Sequence, residues 1–297
     1  MRRALPTCGG LLVLALAVAG CGNSFDPASF VDKLRLLAVE AEPPEIPFGA
    51  TSMLAATATN PGGSTPTVTW DACLLPPPPG TGETVNQDCV SLPEGDPMLI
   101  AFGSGDRVTA TMPMLDLTQV GLPDQTNGVY LPVRLKLEAD GNTLTAFYSL
   151  RIYVGFLLPG TPPANQNPTL TDIVTVPAED AGTSEETPLD PTTPAPVHAN
   201  DELDLRALLT GDSQETYQVY DGNPATTMPR SVTETVKVSW FATAGHFTND
   251  VTGVDKPDTA LVLDKHLPAS GSTIDLWAVA RDERGGSDVI HRTLLFQ

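Results

Sequence analysis

Few residues in this chain have types and spacings that could do chemistry, and they are scattered. The four histidines are His198, His246, His266 and His291, and none forms an HxH or HExxH pattern. Ser104 in FGSGD has Phe102 where a nucleophile elbow needs glycine. Ser64 in GGSTP meets Pro66 where the second glycine belongs. GTGETV lacks the lysine of a phosphate-binding loop. Calcium is the one ion the sequence leaves open, because it takes several hard oxygen ligands in a flexible cage. Its candidates are Asp282, Glu283 and Asp288 in ARDERGGSD. No DxDxDG loop exists, and Arg281 and Arg284 flank the pair, so a solvated hairpin turn is the simpler reading. Asp201, Glu202 and Asp204 in NDELD read the same way. Tyr217 and Tyr220 could face a partner, but they read more simply as strand residues. The expectation is a chain that is not an enzyme and carries no cofactor.

Cysteine is more informative. Of four cysteines, Cys8 and Cys21 lie near the amino terminus, and Cys73 and Cys89 lie together further on. In an oxidising compartment the second pair is expected to form a disulfide around PPPPGTGETVNQD. No third ligand sits at zinc spacing. Near the start, Arg2 and Arg3 precede an apolar run, Leu11 to Gly20, too short to span a bilayer. Positive residues, a short apolar core and then small residues describe a secretory signal peptide over 1–20. Val18, Ala19, Gly20 and Cys21 resemble the lipobox of bacterial lipoproteins. The resemblance implies cleavage before Cys21 and diacylation of its sulfur, with Val18 in place of the commoner leucine. Acyl chains worth about 0.8 kcal/mol per buried methylene would then hold the protein on a membrane.

The formal net charge is −20, and loss of residues 1–20 takes Arg2 and Arg3 with it. Such a surface repels nucleic acid and anionic lipid headgroups, which excludes nucleic acid as a partner.

The elements that would position these residues are strands. With 29 prolines and 25 glycines, many short segments rich in Val, Thr and Leu sit between turn residues, and no long segment keeps a helical period. The fold class expected is all-β. Residues 21–33 form a tether, so the first domain should ride close to the membrane. That domain spans 34–158 and ends in a long hairpin. There Val133, Leu135 and Leu137 alternate with Arg134, Lys136 and Glu138, one buried face and one wet face. Residues 159–168, in LPGTPPANQNP, are a semi-rigid proline-rich linker holding the second domain outward. The second domain spans 169–297 and includes an acidic, proline-rich stretch over 177–200 without Lys or Arg, expected as a mobile surface loop.

The two halves echo each other. Each opens on an apolar strand ending at proline, carries a central tryptophan strand (TVTWDAC and VKVSWFAT), and ends in a long hairpin. Short alternating strands with a tryptophan on a central one fit two tandem immunoglobulin-like β-sandwiches. Cys73 follows Trp70 closely rather than bracketing it with its partner, so the disulfide should pin a loop or strand edge. LRLLAVEAEPPEIPFGAT and VSWFATAGHF resemble segments of myxobacterial-type cell-envelope lipoproteins with bacterial Ig-like domains. That resemblance implies an envelope location and Ig-like domains and supplies no activity; Gly22 after Cys21, in place of the aspartate read as an inner-membrane retention cue, sets the expected membrane as the outer one.

The function expected is therefore a lipid-anchored, non-enzymatic binding, adhesion or scaffolding module that meets an envelope protein or glycan. The alternatives are a structural subunit of an envelope secretion or motility complex and, from another class, a cryptic hydrolase.

Overall fold

A computed structural model describes residues 26–76, 85–113, 128–153, 164–177, 185–219, 228 and 230–297. The expected signal peptide and Cys21 lie outside the described residues, as does the first half of the linker. Among the described residues no helix is long and apolar enough to cross a membrane.

Among the described residues the first unit has eight strands: β1 (Arg35–Glu42), β2 (Glu45–Pro47), β3 (Thr51–Thr59), β4 (Thr67–Cys73), β5 (Leu99–Ser104), β6 (Arg107–Thr111), β7 (Gly128–Ala139) and β8 (Asn142–Tyr153). They form two sheets, ordered β1-β3-β6 and β2-β8-β7-β4-β5. The second unit contains β9 (Leu170–Thr175), β10 (Thr187–Pro188), β11 (Ala195–Val197), β12 (Glu202–Leu209), β13 (Thr216–Val219), β14 (Arg230–Thr233), β15 (Lys237–Ala242), β16 (His246–Phe247), β17 (Val251–Gly253), β18 (Asp258–Val262), β19 (Thr273–Arg281) and β20 (Ser287–Phe296). Its sheets run β10-β9-β12-β18-β16 and β11-β20-β19-β15-β17, with β13 and β14 a separate hairpin.

The two units share one topology. β1, β3 and β6 correspond to β9, β12 and β18, and β2-β8-β7-β4-β5 corresponds to β11-β20-β19-β15-β17. In both, the opening strand pairs antiparallel in one sheet, and the chain then crosses to run parallel to the last strand in the other. Proline lies at both crossings: Pro43 and Pro44 between β1 and β2, and a proline-rich run between β9 and β11. Proline lacks the N–H a continuing ladder needs, so the strand breaks there and its remainder joins the other sheet. Each unit is an immunoglobulin-like β-sandwich.

Trp70 on β4 and Trp240 on β15 are both 0% exposed and fill the space between the sheets. Each is tethered at its indole N–H: Trp70 donates to the Gly105 carbonyl at 2.8 Å, and Trp240 to Thr252 Oγ1 at 3.0 Å. The cores around them are separate, with Leu54, Leu135, Leu150 and Ile152 in one and Ile173, Leu205, Leu261 and Leu276 in the other.

Two expectations need correction here. The stretch 177–200 is not wholly a loop. Its described part contributes β10 and β11, and Leu189 and Val197 are buried in the second core. Two apolar side chains are enough to seat a polar segment against a sheet that still has a free edge. The hairpin face expected to be wet is also partly covered: Arg134 on β7 is buried, because the excursion between β4 and β5 folds back over it.

Candidate functional site

The residues expected as calcium ligands sit at the turn between β19 and β20, and that turn lies against the first domain. Asp282 spends its carboxylate on local geometry. Oδ1 accepts from the backbone N–H of Arg284 (2.8 Å) and of Gly286 (2.7 Å), and Oδ2 accepts from Asn165 Nδ2 (3.0 Å). Asp288 Oδ2 accepts from Leu170 N (2.6 Å), and Asp288 also meets Glu40 of β1. Among the described residues, no group of three or more His, Cys, Asp or Glu is placed to hold a metal ion, so Asp282, Glu283 and Asp288 do not converge.

A chain of buried polar contacts runs from the first domain through the linker into the second. Arg151 of β8 donates from Nη1 to the Tyr130 hydroxyl (2.7 Å) and from Nε to Glu45 Oε1 (2.9 Å). The side chains of Arg151 and Glu45 are 1% and 2% exposed. Glu45 Oε2 accepts from the backbone N–H of Asn165 (2.8 Å), and the Asn165 side chain passes to Asp282. Beyond the Asp282 turn, Arg284 donates from Nε to Glu234 Oε1 (2.8 Å) and from Nη2 to Glu215 Oε2 (2.6 Å). The Glu215 carboxylate also accepts from Gln166 N. The guanidinium lies 4.5 Å from the centre of the Tyr217 ring. Burial raises the Glu234 carboxyl above its ordinary range, a desolvation that the Arg284 pair offsets in part. Charges at such depth need partners on every side, and the linker supplies some of them. Asn165, Gln166 and Asn167 are therefore structural members of the junction rather than a spacer. Asn167 bonds the Ala41 carbonyl and Glu42 on one side and the Ser287 N–H on the other.

Further contacts close the junction. Ser287 donates to the Val39 carbonyl, Arg281 to the Leu37 carbonyl and the Tyr148 hydroxyl to the Gly285 carbonyl. Burial lowers the Arg281 guanidinium and raises the Tyr148 phenol from their ordinary values. Val31, Leu37 and Trp277 form a small apolar cluster with Phe241 and Val289 beside them. A cavity of about 420 Å³ lies here between β1 and the Arg281–Ser287 segment, with Tyr130 and Tyr148 on its wall. A larger, open cleft of about 610 Å³ lies between the base of the β13–β14 hairpin and β17. Its wall mixes Lys237 and Lys256 with Asp255 and Asp258, with no preference for one sign of charge.

The tether also departs from expectation. Its described residues lie on the second domain, not ahead of the first. Phe30 forms a parallel bridge with Ala242, Val31 N donates to the Ala242 carbonyl and Ala242 N to the Ser29 carbonyl. Ser29 Oγ donates to Asp250.

Cys73 and Cys89 form the disulfide, with Cα atoms 6.1 Å apart. It joins the end of β4 to a short 3₁₀ turn (Gln87–Val90) in the β4–β5 excursion, away from the sandwich centre. Arg134 pins the same excursion, donating to the carbonyls of Cys89 (3.1 Å) and Leu92 (2.7 Å) and pairing with Asp71 at 2.9 Å.

The remaining candidates are dispersed. His198, His246, His266 and His291 each lie within 3.5 Å of a different carboxylate, Asp201, Asp264, Asp26 and Asp275 respectively. Ser64 and Asn60 bind Asp140 and tie the β3–β4 connection to the β7–β8 turn. Those bonds hold the Asp140 carboxyl below its ordinary range, the Ser64 N–H contributing most. Ser104 closes β5 within a bulged pairing to β4. Tyr217 is a buried strand residue under Arg284, and Tyr220 lies outside the described residues. Sequence reading did not single out Glu45, Arg151, Asn165, Glu215 or Glu234, and it took Arg284 only as a cation flanking the calcium candidates.

No protein-family model and no curated protein matches the chain. Among solved structures it is similar to the three N-terminal domains of the highly immunogenic outer capsid protein Hoc of bacteriophage RB49, with 11% identity over 89% of this chain and 70% of that one, at a TM-score of 0.21. It is also similar to a marsupial T cell receptor, with 10% identity over 89% and 96%, at a TM-score of 0.21. A third is dimeric latent PorU from Porphyromonas gingivalis, with 9% identity over 89% and 24%, at a TM-score of 0.19. The immunoglobulin-like assignment rests on the strand order described above.

Proposed function

We propose that this chain is a lipid-anchored cell-envelope protein of the myxobacterial type, whose two immunoglobulin-like domains act together as one non-enzymatic binding, adhesion or scaffolding module. The observation that carries the reading is the polar path Tyr130–Arg151–Glu45–Asn165–Asp282, which crosses the domain boundary through the linker. A junction of this kind fixes two sandwiches in one relative pose. Surfaces on both domains can then meet one partner without a further ordering cost. The groups along this path pair with one another rather than face a substrate. The anchoring half of the reading is supported by Val18–Ala19–Gly20–Cys21 and the short apolar run before it. The membrane is the outer one, and the partner an envelope protein or glycan.

Membrane fractionation of the wild type and Cys21→Ala tests the anchor. The wild type should sediment with membranes and incorporate labelled palmitate, and the variant should do neither. Unchanged membrane residence of the variant overturns the lipoprotein reading. Affinity capture on the processed chain tests the binding half. A single stoichiometric protein would make it a subunit of an envelope complex, whereas glycan retention would make it an adhesin. Turnover of an ester, peptide or glycoside substrate, lost on a single side-chain replacement, would overturn the non-enzymatic reading.

A further inference from the structure

The tether fixes where the anchor must leave the fold. Asp26 pairs with His266 at 3.0 Å, and the Phe30 ring stacks on the His266 imidazole with centroids 4.1 Å apart. His266 belongs to the β18–β19 connection. The same end of the second domain holds Gly245, bonded to the Lys265 carbonyl, and Gly271, bonded to the Phe296 carbonyl next to the last residue. The polar part of the domain junction is at the other end of these strands, and its apolar part reaches back along β19 to Trp277, beside Val31. β19 begins at Thr273 beside this cluster and finishes at Arg281 in the junction. Its nine residues put about 27 Å between the two ends.

Four residues lie between Cys21 and Asp26, and over those five steps a fully extended chain covers at most about 18 Å. The backbone of Ser29–Val31 is held to β15, and the Ser29 side chain is held to Asp250. The anchor therefore leaves from the end of the second domain, and it cannot reach the membrane from the junction while the tether stays docked.

We infer that the end of the second domain carrying Lys265, His266 and Leu267 is the surface that lies against the phospholipid headgroups, although the lipid is attached ahead of the first domain in sequence. This rests on lipidation of Cys21 as proposed above. The occupant is set by covalent reach. The side chains suit it: Leu267 is 38% exposed, and the neighbouring Lys265 is a long cation that can lie along a bilayer surface with its charge in water. The first domain then meets the envelope only through its packing on the second.

The test uses the full lipidated protein reconstituted in phosphatidylethanolamine–phosphatidylglycerol vesicles doped with a headgroup-spin-labelled lipid. With Cys73 and Cys89 joined and Cys21 acylated, one introduced cysteine is the reactive thiol. An environment-sensitive fluorophore is placed at Leu267→Cys or, as the comparison, at Met53→Cys. Met53 is an exposed residue of β3 opposite Glu42, whose carboxylate receives Asn167 at the junction. The label at 267 should be quenched severalfold more than the label at 53. The combined replacement Ser29→Ala and Phe30→Ala removes the side-chain part of the docking and leaves its backbone bonds, so it should shrink the difference without releasing the protein from vesicles. Equal quenching, or stronger quenching at 53, in protein that co-floats overturns this inference and leaves the anchor standing. Protein that does not co-float with vesicles overturns the anchor, and the inference with it.

Discussion

Glu40 of β1 and Asp288 of β20 bring their carboxyl groups together across the boundary between the two domains. Two carboxylates in contact cannot both carry charge cheaply. Burial and the negative Asp288 push the Glu40 carboxyl up to about 7, and Arg107 opposes the shift only weakly. The folded protein thus holds a proton here that the unfolded chain gives up near pH 4.5. This contribution to stability is complete below about pH 4.5 and is lost as the pH rises through about 7. Glu40→Gln keeps a donor for Asp288 and has no charge to gain. The gap in melting temperature between the variant and the wild type should therefore widen in the variant's favour from pH 5 to pH 8. Glu40 is only half-buried, so solvent screening holds the effect to about 1–2 kcal/mol. A constant gap across that range would show that the pair does not share a proton.

Arg151→Met should be among the most damaging single changes in the chain. It strands the Glu45 carboxylate, only 2% exposed, with the Asn165 N–H and no cation. Removing one partner of a buried ion pair costs about 3–5 kcal/mol. Glu45→Gln keeps an acceptor for Asn165 and should cost less. Urea unfolding gives the size of the loss. Limited proteolysis gives its place, since cleavage within 154–168 should accelerate before either sandwich is cut.

Gly286→Ala probes the same path without removing a charged side chain. A Cβ at 286 would lie 2.2 Å from Asp282 Oδ2 and 3.0 Å from the Gln166 carbonyl. The carboxylate is held by its own bonds and the second atom is backbone, so neither yields freely. The expected loss is about 2 kcal/mol. Gly211→Ala, where nothing lies within 4 Å, is the matched control and should stay within about 0.5 kcal/mol of the wild type. Equal behaviour of the two variants would mean that the turn is slack.

Calcium at millimolar concentration should leave the melting temperature unchanged. Asp282 already accepts from two backbone N–H groups and one side-chain amide, and Asp288 from Leu170 N and Val289 N. A metal would have to displace these bonds. A rise of many degrees, read by calorimetry with EDTA as the reference, would return Asp282 and its neighbours to consideration as ligands.

The strands were largely legible in the sequence because period-two alternation reports a buried face directly. VRLKLEA and TLTAFYSL became β7 and β8, and the two tryptophan strands became β4 and β15. The site was not legible, because alternation says which face a side chain takes but not what later covers that face. Arg134, between apolar neighbours, read as wet, and Arg151 was not distinguished from the strand around it. The cysteine-closed excursion covers one, and the linker with Glu45 covers the other. Asn165–Asn167 read as spacer because polar residues beside proline look alike whether solvated or bonded between two domains. The short strands β2, β10 and β11 were missed for a related reason. Two or three residues carry no period, and β2 and β11 are defined by the parallel partner the fold brings to them.

The disulfide and Arg134 should act on the β4–β5 excursion as a coupled pair. The bond closes a loop with a sequence separation of 16. Opening it by Cys73→Ser and Cys89→Ser should cost about 3 kcal/mol through the unfolded chain. A second loss belongs to the folded state. The Cys89 and Leu92 carbonyls hold Arg134 beside Asp71, and a loosened excursion would leave that buried guanidinium short of acceptors. Arg134→Met with Asp71→Leu removes the charges together. In that background, opening the disulfide should cost less than in the wild type, by about 1 kcal/mol or more in a double-mutant cycle. Strict additivity of the two changes would mean that the disulfide acts on the unfolded chain alone.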